Sequence, residues 1–478
     1  MINLIILSCV TISSVWMQHK IYNYTRSYVL FLPVLAIYYW SILGGWFVTI
    51  DLLSGNALEN VGFHYYSYFD KLFPIHLDND YVESISYLSL FLLCFQLSLL
   101  NVVKRFHSTS QPKETSPLYI NHWILMCCAC CLAVLSYFFI RAQILEAVKH
   151  HESLYLYLSH QSGRFYSMYQ VSKSASLFLI LFGVSLLLSQ NEGRYFTAKS
   201  SGYTVASYAV IALVLFVYAT LIGSRSDLLF AFLFSILFYL VNARKVSFFR
   251  LSAQLFSLAL IVVIIEMTRA IPIMDYLGLS VGPGIPNDEV LNRMSFISTF
   301  LSLLSSNEMF AGHMSMYGAV FFDVPLTMGG SFNYLLHSLV PRFLVIDRPP
   351  DSYQHYVNHI HYTGVQGFTI NHATGWYLNF GVVGIVMGGA FLGMLVGAGH
   401  VMLKRLSDQR AVVRIFLMMF LLTVCAFSPS LIRTGPEGIK ALCLEAFLIP
   451  ALLIFMVYWA SSLVKNQMEK PSQNSGHK

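Results

Sequence analysis

The sequence predicts an all-α polytopic membrane protein of about eleven transmembrane helices with one long extracytoplasmic loop. Three observations predict it. Only 11% of the 478 residues are charged and 56% are hydrophobic, with a mean hydropathy of +0.62, whereas a soluble chain carries roughly 25% charged residues. The apolar residues come in runs of about 15 to 25, the length a helix needs to cross a bilayer core. The short loops between those runs alternate in charge.

The apolar runs place spans near 2–16, 28–50, 84–103, 119–140, 174–189, 204–222, 227–241, 251–266, 376–403, 411–431 and 439–463. The first has no basic stretch ahead of it, so it reads as a span and not a cleaved signal. With the N-terminus outside, the inner segments hold 17 basic and four acidic residues, and the rest of the chain holds 12 basic and 19 acidic. Short basic inner loops satisfy the positive-inside rule and put the C-terminus in the cytoplasm. The chain then divides into helices one to eight (1–266), the long loop (267–371), helices nine to eleven (372–464) and a polar tail (465–478). The net charge of +6 is scattered among short loops, which gives no basic stripe for nucleic acid.

All eight cysteines fall inside apolar runs, so no disulfide framework is expected in the loops. The run Cys127-Cys128-Ala129-Cys130-Cys131 has CxxC spacing, but within a lipid-length stretch it reads as small packing residues. The long loop contains Pro272, Pro283, Pro286, Pro325, Pro341, Pro349 and Pro350, which rules out one continuous helix. Between the prolines, Leu291–Leu304 and Met309–Phe322 have the spacing of short amphipathic helices lying on the membrane or on the bundle.

Three features bear on chemistry. The first is a set of outward arginines: Arg225 in GSRSD, Arg269 at the foot of the eighth span, Arg293, Arg342 and Arg348 in the long loop, and Arg433 in IRTGPEG. Arginine is costly near a bilayer, and its planar fork suits phosphate and carboxylate. The bland alternative pairs these residues with Asp227, Glu266, Asp347 or Glu437. The second is PRFLVIDRPPDSYQHYVNHIH, with Asp347, Asp351 and three histidines. His355 and His359 share a helical face, but no further motif completes a metal site, and none is expected. The third is INHATGWYLNFGVVG, where His372, Asn371 and Tyr377 stand at the mouth of a glycine-rich span. His372 titrates near neutrality in water and is a candidate general base; an interfacial histidine is the alternative.

On GSRSD, PRFLVIDRPPD and WYLNFGVVG, and on the layout of many spans with a large late loop, the chain resembles bacterial O-antigen and oligosaccharide-repeat-unit polymerases of the Wzy type. Related members often carry an acidic residue where this chain has Gly375. The resemblance implies a membrane glycosyltransferase in the bacterial inner membrane. Its substrate would be an undecaprenyl-diphosphate-linked glycan, polymerised on the periplasmic face without a cofactor. It implies Arg225, Arg269, Arg342, Arg348, Arg433 and Tyr377 as substrate contacts, and His372 or Asp351 for proton transfer. Expected partners are membrane lipids, a chain-length regulator and a flippase. A glycan ligase is the rival within the same chemistry. A transporter would show paired repeats and mid-membrane charges, and no repeat is evident.

Overall fold

The computed structural model describes residues 2–55, 76–106, 117–150, 154–159, 164–189, 195–198, 201–222, 225–243, 247–268, 307–339, 348–360, 369–404 and 411–469. They form an all-α membrane protein. Among them, nine helices are long and apolar enough to cross a bilayer: α1 (Ile2–Thr25), α2 (Phe31–Leu53), α3 (Asn79–Arg105), α4 (His122–Lys149), α6 (Arg164–Leu188), α7 (Gly202–Ile222), α13 (His372–Lys404), α14 (Ala411–Ile432) and α15 (Gly438–Lys465). The two other expected spans coincide with α8 (Arg225–Asn242) and α9 (Phe248–Thr268). Short helices complete the set: α5 (Leu154–Ser159), α10 (Asn307–Phe321), α11 (Gly330–Leu339) and α12 (Ser352–His359). Polar caps set several starts. Asp78 accepts from Tyr81 N at 2.9 Å to open α3, and Asn121 accepts from Trp123 N at 2.9 Å to open α4.

The chain divides into two compact units. The first comprises Met1–Pro112, Leu304–Leu406 and Thr423–Phe447. Its spine is α3 against α13. A Cβ on Gly389 would stand 2.6 Å from the Phe91 carbonyl, one on Gly393 would meet the Phe95 carbonyl, and one on Gly397 would stand 3.0 Å from Val102. Glycines four apart therefore let the two backbones touch, the close packing that drives helix pairing in lipid. Ser98 Oγ seals the contact on the Ala390 carbonyl at 2.9 Å.

Within α2 the segment Tyr38–Leu43 is a π-helix. Its wider turn alters the i→i−4 ladder, and two of its carbonyls have outside donors. Asn371 Nδ2 donates to Trp40 O at 3.0 Å, and His313 Nδ1 meets Ser41 O at 3.2 Å. Tyr81 OH lies 3.1 Å from His313 Nε2. A helix forms in the expected Met309–Phe322 stretch. Gly312–Ala319 is buried on every side, because the π segment, α3 and α13 supply polar and apolar partners all round it. Leu291–Leu304 lies outside the described residues.

The second unit comprises Lys113–Leu303, Ser407–Leu422 and Leu448–Lys478. Here α6 packs on α4 and α8 through small polar residues: Ser176 Oγ donates to Ala129 O at 2.9 Å, and Ser185 Oγ to Ser235 O at 2.9 Å. Strands β1 (Leu118–Tyr119) and β2 (Phe196–Thr197) pair in parallel, and the Asn242 carboxamide holds Tyr195 N and Phe196 N at 3.0 and 2.9 Å. Lys173, 3% exposed, forms an ion pair with Asp227 at 2.7 Å. All eight cysteines are free thiols, and Cys127 and Cys131 are exposed on the apolar face of α4.

Candidate functional site

The site in the first unit is built on a break in α13. Phe380 (φ −140°, ψ 17°) and Gly381 (φ 61°, ψ −146°) leave the helical region. Only glycine adopts the second conformation readily. The chain bends back there. The Trp376 ring comes within 2.5 Å of where a Cβ on Gly388 would stand, yet twelve residues of straight helix would separate the two by about 18 Å. The sequence WYLNFG therefore marks a short helix, His372–Asn379, folded onto the start of a longer one.

The carbonyls exposed by the break have partners. Thr327 N and Oγ1 donate to Leu378 O at 2.7 and 3.2 Å. Asn379 Nδ2 donates to Gly375 O at 2.7 Å and Ser331 Oγ at 2.6 Å, while its Oδ1 accepts from Ser331 N at 3.2 Å and from Thr327 Oγ1 at 3.1 Å. One carboxamide thus pins the 327–331 turn to the bent helix. Non-helical backbone at membrane depth persists only where such partners exist.

His372 heads the short helix and is fully buried. Its Nδ1 donates to the Thr434 carbonyl at 2.9 Å, and its Nε2 accepts from Trp376 Nε1 at 3.1 Å. Those roles require the neutral ring with the proton on Nδ1. Both ring nitrogens are thus engaged within the protein, the Nε2 lone pair by an indole N–H. The residue fastens the 433–437 turn to α13. Gly375 continues that junction, since a Cβ there would lie 2.5 Å from Pro436 Cδ and 2.9 Å from Gly435 Cα.

The turn carries the carboxylate that the sequence reading missed. Glu437 Oε1 accepts from Ser352 N at 2.8 Å and from Ser352 Oγ at 2.7 Å. Its Oε2 folds back over Gly435, where a Cβ would collide with it. Burial pushes the Glu437 carboxyl above the ordinary carboxylate range; the neighbouring Asp351 adds to that, and the Ser352 bonds oppose it. Asp351 caps α12, its Oδ1 accepting from Gln354 N at 2.7 Å. Sequence reading treated Glu437 only as an arginine partner. The signal was present as Gly-Pro-Glu-Gly between two spans, a turn that places an acid at a membrane mouth.

Two of the predicted arginines lie close in sequence to this pair. Arg433 holds its guanidinium 5.9 Å from the Trp40 ring centre, and Arg348 is half-buried three residues ahead of Asp351. The Tyr377 ring packs against Tyr87 in a tilted arrangement, centroids 5.3 Å apart, and the Tyr87 hydroxyl bonds Glu83. Arg225 opens α8, with its side chain outside the described residues, as are Arg269, Arg293 and Arg342. Asp227, a carboxylate that the pairing alternative would assign to arginine, is held by Lys173. His355 Nε2 meets the Pro325 carbonyl at 2.8 Å and His359 Nδ1 meets the His355 carbonyl at 2.7 Å. Among the described residues no three His, Cys, Asp or Glu side chains gather into a metal site.

Fold and site together define a helical polytopic membrane protein with a half-buried carboxylate on the turn after α14, held by a residue that precedes the broken helix α13. Comparison with known proteins finds no matching family model, no matching curated protein and no matching solved structure.

Proposed function

We propose that this chain is a membrane glycosyltransferase that polymerises polyprenyl-diphosphate-linked oligosaccharide units on the outer face of a bacterial cytoplasmic membrane. The observation that carries the reading is the Glu437 carboxylate, held by Ser352 beside Asp351 on the turn that also bears Arg433. An acceptor sugar hydroxyl needs a base whose pKa lies nearer neutrality than a free carboxylate's. A diphosphate leaving group needs fixed cations that do not reorganise. The hydroxyl oxygen bonds to the anomeric carbon of the donor. The bond from that carbon to the diphosphate oxygen breaks, its electron pair leaves with the diphosphate, and the hydroxyl proton passes to Glu437. Arg348 and Arg433 stabilise the departing charge, with Arg225, Arg269 and Arg342 as further headgroup contacts. Tyr377 offers an aromatic face to a sugar ring.

The same reading takes eleven spans, with α8 and α9 among them, an N-terminus outside and a C-terminus in the cytoplasm. It places the mouth of α13 on the side where the arginines collect. A chain-length regulator and a flippase are the partners that such chemistry calls for.

Deletion of the gene followed by sizing of the surface glycans tests the proposal. Loss of long chains with single repeat units retained supports polymerisation, and complementation with Glu437→Gln should leave that defect in place. Loss of all attached glycan would point to a ligase. Lipid-linked units trapped on the inner face would point to a flippase. Labelling that puts the Arg348 segment in the cytosol would remove the donor from reach and end the account.

A further inference from the structure

The proposed chemistry makes no use of a groove between α1 and the first half of α2. Its volume is about 630 Å³, well within the range of small-molecule sites. Two hydrogen-bonded pairs mark its ends. At one, Thr11 Oγ1 and Tyr38 OH lie 3.0 Å apart, with Trp46 Nε1 donating to Thr11 Oγ1 at 3.2 Å. At the other, Tyr22 OH donates to Tyr28 OH at 3.0 Å. Eleven residues of α1 separate these ends, about 16 Å of helix. That is the depth of one leaflet of a hydrocarbon core about 30 Å thick. The walls are mostly apolar surface, with Ser14, Gln18 and His19 on the α1 side, and Val15 and Leu35 on opposite sides are 66% and 58% exposed, so the groove is open along its length.

The end at the α1–α2 turn is cationic. No acidic residue precedes Asp51 in the sequence, and Arg26 lies at this end, while Lys20 turns to the Trp16 ring away from the groove. Arg26 takes a left-handed conformation (φ 53°) that a residue with a side chain seldom adopts. Its guanidinium lies 5.7 Å from the centre of the Tyr22 ring, which belongs to the groove's rim. Helix α2 begins at this end with no side chain capping its first N–H groups, which adds positive potential at the same place.

We infer that the groove seats one acyl tail of an anionic glycerophospholipid, with its phosphate at Arg26. The length matches one tail in one leaflet. The Arg26 guanidinium at the rim selects an anionic headgroup over a zwitterionic one. Only the naming of the leaflet rests on the proposed function: with that orientation it is the cytoplasmic one, opposite the glycosyl-transfer site.

The test uses the full chain purified in mild detergent and titrated with dioleoyl phosphatidylglycerol or dioleoyl phosphatidylcholine, with bound lipid counted by native mass spectrometry. Wild type should retain phosphatidylglycerol several-fold better than phosphatidylcholine. Val15→Trp and Leu35→Trp, both at exposed wall positions, should each lose that adduct. Arg26→Gln should lower phosphatidylglycerol binding to the phosphatidylcholine level. Equal binding of the two lipids by wild type overturns the inference, as does undiminished binding in both tryptophan variants. Preferential retention of a polyprenyl phosphate over phosphatidylglycerol overturns the choice of occupant. None of these readouts depends on glycan synthesis.

Discussion

Ser352 donates twice to one oxygen of Glu437, its backbone N–H at 2.8 Å and its hydroxyl at 2.7 Å. A residue of the long loop thereby holds the acid of the 433–437 turn. Glu437→Gln keeps the shape and removes the proton acceptor. It should lower chain extension by roughly 10²–10⁴-fold, measured with lipid-linked units in vitro. Ser352→Ala removes a donor that favours the ionised carboxylate. The Glu437 pKa should climb further, moving the acid limb of the pH–rate profile to higher pH. Gly435→Ala should also depress the rate, because its Cβ would displace the carboxylate, whereas Gly202→Ala meets nothing within 4 Å and should be silent.

The bent helix makes a second prediction. Asn379→Ala strips partners from Gly375 O, Ser331 and Thr327 together. Leaving such buried groups unsatisfied costs about 1–3 kcal/mol. Gly381→Ala forces a side chain into a glycine-only conformation, at a cost of about 1–3 kcal/mol. Both variants should unfold at lower temperature in detergent, and Thr327 amide exchange should accelerate.

His313 gives the fold a pH dependence. Burial lowers its pKa from 6.5 to about 4. Between those values the unfolded chain binds the proton and the folded chain does not, so stability is complete above pH 6.5 and is lost as pH falls toward 4. The slope from this group is about 1.4 kcal/mol per pH unit. Thermal unfolding followed from pH 7 to pH 4.5 should show the fall, and His313→Gln should flatten it.

The Lys173–Asp227 pair supplies a fourth. Lys173→Met removes the buried partner of an ion pair whose Asp227 is 26% exposed, so the loss should fall below the roughly 3–5 kcal/mol of a fully buried pair. Adding Asp227→Asn should recover much of it, since no unpaired charge then remains. Unfolding midpoints of the two variants check this, and identical midpoints would sink it.

Composition and periodicity alone determined that this chain is a helical membrane protein, because lipid admits few ways to satisfy a backbone and apolar run length is written directly in the residues. Each expected span fell on a helix. The glycine stripe of α13 was readable as a packing face for the same reason.

Only the tertiary structure decided what those residues touch. His372 read equally as a base or an interfacial histidine, and folding sets Trp376 and Thr434 on its two nitrogens. Glu437 looked like a counter-ion, yet Ser352, 85 positions earlier, holds it. The break at Gly381 was hidden in an apolar run that reads as unbroken helix. Hydrophobic patterning acts locally along the chain, whereas the protonation and reach of a side chain are set by groups distant in sequence that folding brings within hydrogen-bonding range.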